Sequence, residues 1–268
     1  MVDYVWEERF YTGQLLAVHI GGKYLAYGIK GNFPKTSTGV IRVINSETSA
    51  RVLIRGMEGL VQDIAFAHIM NHVILASVDE KGNLFIHRVM ESKDSETALE
   101  SELLLHVIQD SDLDYCGPHR VIWCPFIPDD DTKSPGEIIE DVSTLLVLTR
   151  GTKVGWSFRA FIPSTVTEGY LEINEHSACI VDAAFSPDGT AIATAALDGE
   201  IKFFQVYMAN TTKPRCLHQW VPHDKKPLSS LFFLDNHKSY NPDRSIVGNT
   251  HHGRRRSAKT PVMGRDNT

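Results

Sequence analysis

Short apolar runs with a period of two recur along the chain, each closed by Gly, Pro, Asp or Asn. That period sends successive side chains to opposite faces of a strand, so the pattern predicts β-structure. It is clearest in residues 176–206, HSACIVDAAFSPDGTAIATAALDGEIKFFQV. Ile180, Asp182, Ala184 and Ser186 alternate there with Val181, Ala183 and Phe185. Pro187-Asp188-Gly189 supplies a tight turn: proline presets one backbone angle, aspartate can bond its own backbone, and glycine accepts a positive φ. Ala191 to Leu197 reads as a small apolar second strand. Asp198-Gly199 closes the next hairpin, and Ile201, Phe203 and Val206 carry a third strand.

The unit repeats. In residues 60–89, LVQDIAFAHIMNHVILASVDEKGNLFIHRV, the run VQDIAFA matches IVDAAFS, with Asp63 over Asp182 and Phe66 over Phe185. VILASVDEKGNLFIHRV matches AIATAALDGEIKFFQV with a longer turn. One such sheet cannot bury its own faces, so copies must stack. This is the layout of WD40-type β-propeller blades, which carry about four strands each. The runs group accordingly: 15–20, 23–30, 39–44 and 50–55; then VQDIAFA, VILASV, NLFIHRV and 103–108; then 119–126, 143–150, 154–160 and 170–173; then the blade above with 215–221. ESKDSETALESE reads as an exposed loop inside the second group, and PLSSLFFLDN (227–236) opens a fifth. The expectation is an all-β chain, a WD40-type β-propeller over residues 1–243, incomplete, with about four blades and the first strand of a fifth. From about Arg244 the text is basic and small-polar without alternation, so 244–268 is expected to be a disordered tail. Such an arc leaves two open flanks, which closed rings avoid.

In WD40 blades a His, a Ser or Thr, an Asp and a Trp form a buried hydrogen-bond chain. His176, Thr194 and Asp198 can fill the first three places. Phe204 stands at the fourth, and it has no N–H to donate. His87 falls at the same place in the earlier copy. The role of such a tetrad is structural, since it satisfies buried polar groups; no nucleophile pattern accompanies His176 and Asp198 to suggest catalysis.

Composition narrows the classes further. The chain has 268 residues, and 42% of them are hydrophobic, enough for a real core. A formal charge of −6 argues against binding nucleic acid by bulk electrostatics. No apolar run is long enough to span a bilayer, and the polar, acidic MVDYVWEERFY does not read as a signal peptide. Cys116, Cys124, Cys179 and Cys216 are scattered, which suits free thiols in a reducing compartment rather than a disulfide framework.

Several segments carry a more specific signal: WEERFYTGQLLAV followed by YLAYGIKG, the run VQDIAFA to NLFIHRV, RVIWCPFIP (120–128), and SPDGTAIATAALDGEIKFFQVY with PRCLHQWVPHDKKPLSSLFFLDNHK (214–238). Over about residues 4–243 the chain resembles the N-terminal WD40 domain of the enhancer of mRNA-decapping protein 4 family. WCPFIP and CLHQWVPHD are not general WD40 features. The resemblance implies a seven-bladed propeller in a non-catalytic scaffold of cytoplasmic processing bodies. It further implies that the scaffold joins the decapping enzyme to its activator subunit and promotes mRNA decay, with no cofactor and no metal. The alternative reading is a generic WD40 adaptor of another multi-subunit complex.

Other residues weigh less. Cys116, His119 and Cys124 match no zinc spacing. His68 and His72 read as a strand end and turn. Trp123 and Trp156 lie in strand patterns, which favours core packing over stacking on a cap. Asp129-Asp130-Asp131 reads as solvated loop. Arg254-Arg255-Arg256 with Lys259 reads as a solvated tail, whose contact with RNA would be weak. No GxxxxGK[ST] or GxSxG motif is present.

Overall fold

The computed structural model describes residues 4–32, 37–93, 98–108, 117–125, 145–157, 170–187, 189–206, 214–234 and 249–254. Among these residues eighteen strands run in chain order. The first sheet holds β1 (Leu16–Val18), β2 (Tyr24–Asn32), β3 (Ser37–Asn45) and β4 (Arg51–Ile54). The second holds β5 (Val61–Phe66), β6 (Val73–Asp79), β7 (Leu84–Glu91) and β8 (Leu99–Val107). The third holds β9 (Arg120–Trp123), β10 (Leu146–Arg150), β11 (Lys153–Ser157) and β12 (Tyr170–Ile173). The fourth holds β13 (Ile180–Phe185), β14 (Ala191–Ala196), β15 (Ile201–Gln205) and β16 (Cys216–Trp220). A two-stranded sheet of β17 (Leu228–Leu234) and β18 (Asn249–Arg254) follows. Each sheet is an antiparallel meander in sequence order, as the grouped runs predict, and the arc is an incomplete WD40-type propeller.

The core lies between sheets, and the period of two explains why. In the second sheet Ile64, Phe66, Leu75 and Phe85 pack back onto Ala26, Ile41 and Val43 of the first. The intervening Ala65, Ile74, Ala76, Val78 and Ile86 pack forward onto Val121, Trp123, Leu146 and Leu148 of the third. Val147 and Val154 meet Ala183, Phe185, Ile192 and Phe204, and Ala193 and Ala195 meet Leu228 and Leu231. Every inner sheet is thus apolar on both faces, which is why its strands read as near-continuous hydrophobic runs.

Register makes the blades comparable residue by residue. Ala65 pairs Ala76, Ile122 pairs Val147 and Ala184 pairs Ala193, all facing forward. By the same count Leu16 and Val18 are the counterparts of Ile64 and Phe66. They are 49% and 60% exposed, against 0% and 6%. Phe232, the counterpart of Ala184, is 47% exposed at the other end. Both flanks of the arc therefore present apolar inner-strand positions.

Three expectations are modified. Leu99 to Glu102, read as loop, begin β8, because Glu91 to Arg88 continue as an edge for them to pair with. Asn249–Arg254, within the stretch expected to lack structure, pairs with β17 from Leu234↔Asn249 to Leu228↔Arg254; an unpaired strand edge recruits extended backbone with little regard to side chains. Cys179 is disulfide-bonded rather than a free thiol, whereas Cys124 and Cys216 are in no disulfide. The backbone near Cys179 is crowded by a distant segment: a Cβ on Gly117, at φ +96°, would lie 2.8 Å from the Cys179 Cβ.

Candidate functional site

The loops that enter the inner strands and the turns between second and third strands lie at one end of the arc. Polar side chains tie them together. In the fourth blade the His176 Nε2 and Thr194 Oγ1 are 2.7 Å apart, and both residues are buried. Thr194 also donates to the Lys202 carbonyl at 3.3 Å. Burial, helped by Lys202, holds His176 down at about 4, so it stays neutral. Asp198 accepts from Ser177 Oγ and from the Glu200 N–H, both at 3.0 Å. His176 Nδ1 instead faces the Glu200 carboxylate at 3.8 Å. The fully buried Phe204 sets its ring at 6.5 Å from His176, edge to face. Gly199 closes the turn at φ +81°, where a Cβ would come within 2.7 Å of the Lys226 carbonyl.

In the second blade the turn is as long as in the fourth, not longer as its sequence suggests, since Val78 pairs Leu84 as Ala195 pairs Ile201, and it uses a residue the sequence reading did not single out. Asp79 Oδ2 accepts from the Glu58 and Gly59 N–H groups at 3.1 and 3.2 Å and from Asn83 Nδ2 at 3.1 Å. Its Oδ1 accepts from Lys81 N–H and Asn83 N–H at 3.0 and 2.9 Å. One carboxylate thus pins the entry loop to the turn. The signal for it was the D-x-x-G-N run, DEKGN. His87, at the tryptophan place, is buried and pushed down to about 4 by burial, with the charge of His106 adding to this.

A second polar layer crosses three blades. Asp63, Arg120 and Asp182 each stand two residues before the forward-facing Ala65, Ile122 and Ala184, so they occupy one blade position. Arg120 donates from Nε to Asp63 Oδ2 at 2.9 Å and from Nη1 to Asp182 Oδ1 at 2.7 Å. Asp63 also accepts from Gln14 N–H at 2.6 Å and Val121 N–H at 2.9 Å. Asp182 accepts from Leu231 N–H at 2.7 Å and Ala183 N–H at 3.0 Å. Each carboxylate therefore stitches its own blade to the next one. Burial pushes both carboxyls up, opposed by Arg120 and the backbone donors. The sequence reading aligned the two aspartates; Arg120 escaped it because its position is recognisable only through strand register. Arg120 and Asp182 border an open cavity of about 890 Å³ inside the arc.

The N-terminal arm closes this end over the first two blades. Trp6 donates its indole N–H to the Gly28 carbonyl at 3.0 Å, and the Lys30 N–H donates to the Tyr4 hydroxyl at 3.3 Å. Gly13 lies so close to the Gln62 carbonyl that a Cβ there has no room.

The remaining candidates sit as follows. Trp123 is buried and donates to the Ala65 carbonyl at 3.0 Å. His119 is fully buried and pushed down to about 4 by burial, with Arg150 adding to this. His68 is half-buried and His72 exposed, both in the loop after β5. Cys116, Asp129 to Asp131, the Trp156 side chain, Arg255, Arg256 and Lys259 lie outside the described residues. Among the described residues, no three His, Cys, Asp or Glu side chains gather as metal ligands. No helix among them is long and apolar enough to cross a membrane.

Comparison with known proteins places this architecture. The chain resembles the WD40 domain of Toxoplasma gondii coronin, with a TM-score of 0.60 at 16% identity over 85% of this chain and 50% of that one. It also resembles Chaetomium thermophilum Raptor, with a TM-score of 0.54 at 12% identity over 82% of this chain and 17% of that one. These likenesses establish the fold alone. Enhancer of mRNA-decapping protein 4 from Danio rerio and from Homo sapiens are each 38% identical over 252 residues, covering 91% of this chain and 17% of theirs. The Drosophila melanogaster homolog is 38% identical over 252 residues, covering 88% of this chain and 18% of its own. The chain thus spans under a fifth of the length of these relatives. A family model described as the WD40 region of Ge1, enhancer of mRNA-decapping protein, matches residues 1–250, and the chain belongs to that family.

Proposed function

We propose that this chain is a non-catalytic scaffold module that promotes 5′-cap removal and mRNA decay through protein contacts, in the cytoplasm and its processing bodies. The decapping enzyme and its activator subunit are the partners this reading names. The observation that carries it is the family match across residues 1–250 together with 38% identity to proteins named for enhancing decapping. The polar layers described above support it, because they are built to hold loops rather than to move protons. Each buried carboxylate in them is committed to backbone N–H groups or to Arg120, and among the described residues no activated nucleophile accompanies them. Fold alone would not license the assignment, since propellers serve many functions. The test is affinity purification of the tagged chain from cytosolic lysate. Recovery of decapping subunits is the expected result. Recovery of a different assembly, such as a ubiquitin ligase core, would favour a generic adaptor, and hydrolysis of capped transcripts by the purified chain would refute the non-catalytic reading.

A further inference from the structure

We propose that the pocket beneath the N-terminal arm receives an arginine side chain from an extended partner segment, stacked on Tyr11 in the place that Arg9, which lines the cavity without filling it, takes on that ring in the free chain. The inference rests on the scaffold reading above and names the chemistry of one of its contacts.

Tyr4, Trp6 and Tyr11 wall a cavity of about 40 Å³, with Glu7 and Lys30 at its rim. The walls are fixed by groups of defined position. Trp6 is hydrogen-bonded to the Gly28 carbonyl, Tyr4 to the Lys30 N–H, and the Tyr11 hydroxyl donates to the Glu7 carbonyl at 3.0 Å. Tyr4 and Trp6 meet edge to face with centroids 5.3 Å apart, and Trp6 meets the buried Tyr27 at 6.0 Å. Aromatic walls held in place before a ligand arrives lose little entropy on binding.

Arg9 shows which ligand suits these walls. Its guanidinium carbon lies 4.8 Å from the centroid of the Tyr11 ring, a cation–π arrangement. Its Nε is 3.9 Å from Glu7, whose other carboxylate oxygen is 3.6 Å from the Lys30 ammonium. Glu80, on the turn between β6 and β7, adds negative potential at Arg9. Yet Arg9 is weakly held: it is half-exposed, and exposed ion pairs and cation–π contacts contribute little. A partner arginine entering in its place keeps Glu7 paired throughout. Glu7, Glu8 and Glu80 oppose a phosphate backbone. Val5 and Phe10, exposed on the same arm, offer apolar area that a partner segment can cover.

The experiment uses the full chain and a fluorescent Gly-Ser peptide with one central arginine, read by anisotropy. A second peptide carries citrulline, which keeps the shape and removes the charge. Saturable binding of the arginine peptide is expected, with loss of about tenfold or more in the citrulline peptide. Glu7→Gln should weaken binding several-fold, and Arg9→Ala should strengthen it several-fold by uncovering the Tyr11 ring. Both residues are exposed, so both variants should fold; matching circular dichroism checks this. Equal binding of the citrulline peptide, absence of binding to Arg9→Ala, or preferential binding of a labelled single-stranded RNA would overturn the proposal. The assay contains no decapping subunit, so its outcome is separate from the lysate test. A chain that binds the peptide but recovers no decapping subunit would refute the scaffold reading alone.

Discussion

Arg120 and Asp63 stand 57 residues apart in sequence and at the same place in neighbouring blades, joined at 2.9 Å from Nε to Oδ2. Arg120 repeats the contact on the other side, with Asp182, at 2.7 Å. Three consecutive blades thus alternate acid, base, acid at one position. Had Arg120 been a third aspartate, three buried carboxylates would have faced one another. The side chains are 1%, 14% and 7% exposed, so charge balance here is a condition of stacking rather than a surface ornament.

Arg120→Met should therefore be costly. Removing one partner of a buried ion pair typically costs about 3–5 kcal/mol, because the other charge is left uncompensated. Urea unfolding of the full chain would measure it. A loss under about 1 kcal/mol for Arg120→Met would show that the layer holds nothing.

Acid should destabilise the chain between about pH 6.5 and 4. His87, His119 and His176 are each pushed down to about 4, chiefly by burial, whereas their unfolded value is 6.5. Below 6.5 the unfolded chain takes up protons that the folded chain refuses, so stability present above that pH falls, by at most about 1.4 kcal/mol per unit per histidine. Asp63 and Asp182, held up by burial, act in the opposite sense at the acid end. His87→Leu should flatten the profile of stability against pH, and an unchanged slope would contradict the assignment.

Thr194→Val keeps the side chain's shape and removes the hydroxyl that meets His176 at 2.7 Å. An orphaned buried polar group costs about 1–3 kcal/mol. Thermal unfolding should register that loss, whereas Ser177→Ala, in which the lost partner belongs to the more exposed Asp198, should change stability by well under about 1 kcal/mol.

Leu16 and Ile64 are counterparts in adjacent blades with opposite fates. Ile64→Ala should cost about 2–5 kcal/mol, as expected for a fully buried aliphatic side chain. Leu16→Ser with Val18→Ser should cost little and should lower self-association, as read by sedimentation velocity, because the exposed apolar area whose burial would drive association is gone. Equal destabilisation by both changes would show that the first blade's flank is covered.

Much of the fold was legible in the sequence for one reason. Sheets buried on both faces require apolar residues at every step, and the Gly- and Asp-containing turns that join them are chemically specific. The runs around Asp63, Asp182 and Leu197 carried both signals. Asp79 was less legible, since the loop-pinning carboxylate stands at the place of Ala196, two residues before the one Asp198 holds in a turn of equal length. Arg120 was invisible, because HRVIWCPF lacks the aspartate that marks its neighbours. The arm residues Trp6 and Arg9 have no periodicity to betray a pocket.

By itself the amino-acid sequence determined the strands, their grouping in fours and the family, since these depend on local alternation, turn chemistry and motifs that need no partner. Only the tertiary structure decided which blade positions meet, that Arg120 balances two acids, that Cys179 is bonded, that β18 pairs with β17, and that Arg9 lies on Tyr11. Those contacts join residues distant in sequence, and their energies depend on distance and burial, which a linear pattern does not contain.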